Sequence, residues 1–245
     1  MANWINSIDR EQLTSRRALL LGAAGLATVG VGGSMVWSML QTPPQAEEAE
    51  IKKQAKRPRR PGNVASDELM KPGTLPELIL GKADAPITIV EYASMTCGHC
   101  ASFHTTVLPE IKEKYIDTGQ VRLVFREFPL DERAAAASMV ARCAGGEKTL
   151  PFISVLLAKQ DDWAFAKNDF LPKLFKYAQQ AGFSKQSFET CRQDEKLLQN
   201  VIAVRDRAHQ SFGVSSTPTF FVNGKKLDGV TMADFDKALA PLIKR

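Results

Sequence analysis

Read as a pattern of apolar and polar positions, the chain changes period several times. The segment "APITIVEYAS" is a β-branched and aromatic run that begins after Asp84-Ala85-Pro86, and it predicts a central strand. In the next segment, "HCASFHTTVLPEIKEKYI", Phe103, Val107, Ile111 and Tyr115 recur at i, i+4 spacing and predict an amphipathic helix. Pro109 lies inside that pattern and predicts a kink, because proline lacks the N–H that the helix needs. "QVRLVFREFPL" is a second strand, stopped by Pro129. A βαβ unit of this size implies adjacent parallel strands with a right-handed crossover. From about 131 to 211 the segments are helical by composition and period, a block of about 80 residues. "TPTFFVNGKKLDG" then returns to strand–turn–strand, with Asn223-Gly224 as the hairpin turn. "TMADFDKALAPLIK" closes the chain as a helix, with Thr231 as N-cap and Asp234 three residues on in a box-like arrangement.

The first 73 residues follow none of these patterns. Arg16 and Arg17 precede an uncharged run from Ala18 to Leu40. At about 23 residues this run would measure roughly 34 Å as a helix, enough to cross a bilayer. "SRRALLL" resembles a twin-arginine export signal through Ser15, both arginines and the leucines after Ala18, although Leu19 stands where an aromatic often follows. Pro44-Gln45-Ala46 is the nearest approach to a small-x-small cleavage site and is a poor one, so residues 1–40 read as an export signal or as a membrane anchor. Six basic residues lie within about 20 positions after Leu40 against three before it, and the positive-inside rule alone would favour the opposite orientation. The body is nevertheless expected outside the cytoplasm, because a folded-export route does not depend on that rule in the same way.

Residues 41–73 are rich in Pro, Glu, Lys and Arg and predict a flexible tether. The net charge of +5 is concentrated in "IKKQAKRPRRPG" within it, which reads as a solvated linker and not as a nucleic-acid or lipid site. Residues 74–245 remain as one domain with one well-buried core. With 44% hydrophobic and 24% charged residues, the composition excludes wholesale disorder.

The candidate chemistry lies at Cys97-Gly98-His99-Cys100. Covalent haem attachment needs a His directly after the second Cys, and Ala101 occupies that place. Zinc could use Cys97, Cys100 and His104, which fall at i, i+3 and i+7, but no second Cys or Cys/His pair has structural-zinc spacing. Redox exchange fits best. A Cys-x-x-Cys at the first turn of a helix sits at the positive end of the helix dipole, where backbone N–H groups stabilise Cys97 as a thiolate. Cys100, one turn further in, is the resolving thiol, and His99 adds positive charge or a hydrogen bond. Stabilising the thiolate makes the disulfide more oxidising.

Together, "TIVEYASMTCGHCASFH", "VRLVFREFPL", "AASMVARCAGG" and "GVSSTPTFFVNGKKLDG" resemble the DsbA-type branch of the thioredoxin superfamily, over nearly all of the chain from about Leu75. The resemblance implies an α/β thioredoxin-like fold, a central mixed sheet flanked by helices, with the helical block inserted. It implies that Pro218 is a cis-proline beside the active disulfide and that Thr217 offers backbone groups to a substrate strand. It further implies that Glu91 is a buried acid assisting proton movement at the inner thiol. His104 is read as a helix-face residue without a direct role, and His209 as having none.

Some relatives carrying the "ARCA" segment have a second, structural disulfide, here Cys143 with Cys191; two buried free cysteines are the alternative. The implied activity is oxidation of exported proteins with free thiols in the periplasm or another extracytoplasmic space, with residues 18–40 as a possible inner-membrane anchor. No cofactor, metal or nucleic acid is implied; a quinone-linked membrane re-oxidase is. A monomer is favoured because residues before Leu75 are too poor in core residues for a dimerisation domain. A disulfide isomerase or dedicated reductase on the same fold is the alternative, since a Thr before the cis-proline also occurs in isomerase-type relatives. A non-catalytic metal-binding module is the alternative from another class.

Overall fold

The computed structural model describes residues 66–166 and 169–243. A five-stranded sheet runs in the order β1-β3-β2-β4-β5, with β1 at Leu78–Leu80, β2 at Ile87–Ala93, β3 at Val121–Glu127, β4 at Thr219–Val222 and β5 at Lys225–Leu227. β2 and β3 are parallel, and every other pairing is antiparallel. All seven residues of β2 are buried, as a central strand covered on both faces requires. Period-2 alternation sorts its side chains: Ile87, Ile89 and Ala93 enter the larger core, while Val90 and Tyr92 meet Ala208, Phe212 and Val214 on the other face.

The helices, in chain order, are α1 Ser66–Met70, α2 Gly98–Ser102, α3 Leu108–Ile111, α4 Glu132–Cys143, α5 Thr149–Ala158, α6 Gln160–Trp163, α7 Phe170–Gln180, α8 Lys185–Arg192, α9 Glu195–Phe212 and α10 Met232–Leu239. The inserted block thus runs from Glu132 to Phe212, and its α4, α5 and α7 bury Val140, Leu156 and Leu174 in the same core as β2 and β3. The chain turns between β4 and β5 at Asn223 and Gly224, both with positive φ as a type I′ hairpin requires. Thr231 and Asp234 form the reciprocal capping box of α10.

Three features depart from the sequence reading. β1 was not foreseen: "LIL" is too short for an alternation signal, and its register against β3 supplies the pairing. The tether does not continue to residue 73, because residues 66–70 form α1 and Leu69 is buried. Guanidinium donors distant in sequence hold this stretch, Arg126 at the Leu69 carbonyl (2.7 Å) and Arg207 at the carbonyls of Glu68 (2.8 Å) and Lys71 (2.9 Å). Around Pro109, where the pattern predicts one amphipathic helix with a kink, π-helical turns at Phe103–Val107 and Lys112–Ile116 interrupt the helix on either side of α3. Pro109 has no N–H to offer the preceding turn; the Leu108 N–H bonds to the Phe103 carbonyl, and the Thr105 hydroxyl turns back to Ala101 O (2.8 Å). The apolar run 18–40 lies outside the described residues; among these, no helix is long and apolar enough to cross a membrane.

A disulfide joins Cys143 at the end of α4 to Cys191 in α8, 48 residues apart in sequence. Loop closure of this length restricts the unfolded chain by about 4 kcal/mol. The double variant C143A/C191A is therefore expected to lose roughly that much stability, read as a lower urea midpoint with a larger m-value, since the unfolded chain then opens further.

Candidate active site

The loop after β2 is braced before its chemistry begins. Thr96 Oγ1 donates to Asp131 Oδ2 (2.7 Å), and the other oxygen of Asp131 caps α4 by accepting from Ala134 N (2.8 Å). Gln160 of α6, itself buried, donates through Nε2 to the carbonyls of Met95 (2.9 Å) and Cys97 (3.1 Å). The helical block therefore grips the loop that carries the thiols.

Cys97 is the N-cap of α2, with extended backbone, and its side chain faces the Thr217-Pro218 peptide, which is cis. In its thiol form Cys97 Sγ donates to the Thr217 carbonyl at 3.2 Å. The pKa of Cys97 falls to about 5. The largest cause is the hydrogen bond donated by the Cys100 thiol; partial burial opposes it, and the Thr217 side chain and the backbone N–H groups of Cys100 and His99 add to the lowering. Cys100 is fully buried, and burial, followed by its bond to Cys97 and the charge of Glu91, pushes its thiol strongly up. The two cysteines, neither bonded here, are thus a nearly buried residue, 9% exposed, that ionises readily, and a fully buried inner group that holds its proton.

The sequence-derived candidates separate as follows. Cys97, Cys100, Thr217 and Pro218 come together at one point, joined across 120 residues by the bond from Cys97 to Thr217. The His99 imidazole is exposed, and its residue reaches the sulfur through the backbone N–H. Glu91 is buried in mid-strand, opposite Phe125 of β3 and Phe220 of β4. Cys143 and Cys191 lie in the inserted block; Cys191 packs with Met139 and Val201, while Cys143 is exposed. His209 bonds to the Val214 carbonyl after α9.

His104 differs from its reading as a plain helix-face residue. Its side chain is 3% exposed, and Nε2 lies 3.1 and 3.0 Å from the two carboxylate oxygens of Glu91. The i, i+4 spacing from Cys100 was the signal that could have found it. Gln160 had no comparable signal, because nothing local ties a glutamine 63 residues away to the Cys97 carbonyl.

With this geometry in place, comparison with known proteins is informative. A family model described as Thioredoxin matches residues 74–240. A Rickettsia bellii protein named "putative protein-disulfide oxidoreductase" is 34% identical over 168 residues, covering 66% of this chain and 64% of that one. A Rickettsia prowazekii relative of the same description is 32% identical over 164 residues, covering 66% and 60%. The chain thus spans less than two thirds of the length of these relatives. The crystal structure of Wolbachia pipientis alpha-DsbA1 matches at a TM-score of 0.66 and 32% identity, over 73% of this chain and 96% of that one. BdbD from Bacillus subtilis, 21% identical with a TM-score of 0.61 over 74% and 95%, shares the fold. The chain belongs to the thioredoxin family, on its DsbA-type branch.

Proposed function

We propose that the chain is an extracytoplasmic thiol–disulfide oxidoreductase that oxidises pairs of thiols in exported proteins. The observation that carries this reading is Cys97 Sγ set 3.2 Å from the Thr217 carbonyl of the cis Thr217-Pro218 peptide, with Cys100 fully buried behind it, an arrangement that lowers Cys97 to about 5 and keeps the proton on Cys100. A substrate thiolate attacks Cys97 Sγ of the disulfide form, the Cys97–Cys100 bond breaks, and Cys100 leaves and takes a proton. A second substrate thiolate then attacks the substrate sulfur of the mixed disulfide. Cys97 departs as a thiolate, which its low pKa makes a good leaving group. The substrate loses two electrons and the protein's disulfide gains them. Thr217, with its carbonyl beside Cys97 Sγ, is the group placed to guide an extended substrate strand.

The compartment follows from the arginine pair and uncharged run at 16–40 and from chemistry that persists only in oxidising spaces. Anchoring by residues 18–40 rests on the sequence pattern alone. Re-oxidation of the dithiol is assigned to a quinone-linked membrane partner, on the family resemblance, and the working form is a monomer.

The test is single-turnover exchange between the purified disulfide form and a peptide containing two reduced cysteines. Oxidised peptide and dithiol protein in equal amounts are expected. Absence of exchange would overturn the reading, and a redox equilibrium with glutathione as reducing as that of thioredoxin would replace oxidase by reductase.

A further inference from the structure

The loop that carries the thiols is gripped from the helical block by a residue whose place packing alone does not explain. Gln160 is 3% exposed in the one-turn helix α6, and burying a carboxamide is costly unless its polar atoms are bonded. Nε2 carries two hydrogens, and the bonds to the carbonyls of Met95 (2.9 Å) and Cys97 (3.1 Å) use both. The helix that presents it is itself held in place. Trp163, buried one turn further on, donates from Nε1 to the Leu156 carbonyl (2.7 Å), and Arg133 of α4 donates to the Ala164 carbonyl (2.6 Å).

The bond to the Cys97 carbonyl acts on the sulfur through the backbone. That carbonyl belongs to the Cys97–Gly98 peptide plane, whose rotation is the ψ angle of Cys97, here 116°. The same oxygen accepts the Ala101 N–H (3.1 Å), the opening bond of α2. With two donors on one oxygen, the plane cannot turn without breaking both bonds. The N–H groups of His99 and Cys100, which follow in the first turn, therefore keep their aim at Cys97 Sγ.

The neighbouring contacts do not share this role. Asp131 reaches the loop from α4 but bonds the Thr96 hydroxyl, a side chain, and leaves the Cys97–Gly98 peptide free to turn. Asp162 of α6 accepts from Tyr177 and Lys173, and the Arg133 guanidinium lies over the Phe170 ring. The His99 imidazole is exposed, and the charge of Glu91 bears on Cys100.

We propose that Gln160 is a positioning residue for the redox pair: by fixing the Cys97–Gly98 peptide it keeps the first turn of α2 aimed at Cys97 Sγ, and so sets how strongly oxidising the Cys97–Cys100 disulfide is. The inference rests on the exchange reading above, whose driving force it explains. In equilibrium with glutathione, two glutathione thiols join as one disulfide, and their two electrons break the Cys97–Cys100 bond. At neutral pH one of the two protons goes to Cys100 and the other to solvent, because Cys97 departs as a thiolate. Whatever stabilises that thiolate draws the equilibrium towards the dithiol protein. A peptide plane released from Gln160 weakens the N–H bonds to the sulfur, and the disulfide becomes a weaker oxidant.

The test uses the purified full chain, by thiolate absorbance against pH in the reduced form and by equilibrium with glutathione. Gln160→Met matches the side chain in length but donates nothing. It is expected to raise the thiolate midpoint by about one pH unit and to shift the glutathione equilibrium about tenfold towards the disulfide form, as loss of about one hydrogen bond to the sulfur requires. Gln160→Glu keeps the shape and decides the matter if Gln160→Met fails to fold. A neutral acid there donates to one carbonyl at most and a carboxylate to neither, so the midpoint again rises. Arg142→Met unsettles the fold away from the loop and is expected to leave the midpoint in place. An unmoved midpoint and equilibrium in a folded Gln160 variant would overturn the proposal. So would an equal rise in Arg142→Met, which would assign the effect to stability in general. Neither measurement uses a client thiol, so failure to oxidise a peptide would count against the functional reading and an unmoved midpoint against this one.

Discussion

Cys97→Ser is expected to abolish thiol–disulfide exchange outright, with no residual turnover of a two-cysteine peptide, because a hydroxyl cannot form the mixed disulfide. Cys100→Ser is expected to behave differently. It retains the Cys97 thiolate, which attacks the disulfide form of the peptide, releases one peptide thiolate and accumulates as the mixed disulfide that non-reducing electrophoresis resolves. The asymmetry follows from burial: Cys97 sits at the mouth of the loop beside Thr217, while Cys100 is fully enclosed.

In the reduced protein, thiolate absorbance is expected to titrate with a midpoint near 5 and to vanish in Cys97→Ser. The folded value lies below the ordinary 9.0, so ionised Cys97 favours the folded dithiol fully above about pH 9. That contribution declines as pH falls and is gone below about 5. Oxidation of two protonated substrate thiols releases one proton across this window. The exchange equilibrium should therefore shift towards oxidised substrate by about tenfold per pH unit, and a pH-independent equilibrium would contradict the low value.

Arg142→Met is expected to cost about 3–5 kcal/mol, because it removes the partner of a buried carboxylate. Glu127 is 1% exposed at the end of β3, and the Arg142 guanidinium spans from it (Nη2 to Oε2, 2.8 Å) to the Pro76 carbonyl. One side chain of α4 thus ties the sheet to the segment leading into β1. Urea unfolding measures the loss, and the double variant E127Q/R142M should recover most of it, since the uncompensated charge is then gone. Equal destabilisation by the single and double changes would show that packing of the arginine stem, not the charge, carries the effect.

Much of this molecule was legible in local patterns. Strand β2 announced itself as an unbroken β-branched run, α10 by its capping box, and the β4–β5 hairpin by Asn223-Gly224. Each of these signals is complete within a few residues, so no tertiary knowledge is needed to read it. The redox pair was legible for the same reason: two thiols one helical turn apart, after a strand, already define a geometry. Linking them to Thr217-Pro218 needed resemblance to a family, because a separation of 120 residues leaves no periodic trace.

The tertiary structure decided everything that depends on what a side chain is buried against. β1 exists because β3 offers it an edge, and α1 is held because Arg126 and Arg207 need acceptors. Gln160 acquired its grip on the loop from the folding of the helical block across it. In local pattern His104 is an exposed-looking helix residue and Glu91 a strand acid, which only the family resemblance singled out. Only the closing of helix over sheet removes both from water, leaves them each other as partners, and brings the charge of Glu91 to bear on Cys100. The sequence by itself determined most of the elements, β1 and α1 apart, and where the sulfur chemistry sits, since periodicity and turn chemistry are local. Proton affinity is a property of the surrounding dielectric and of charges brought near from elsewhere, so it was decided by packing.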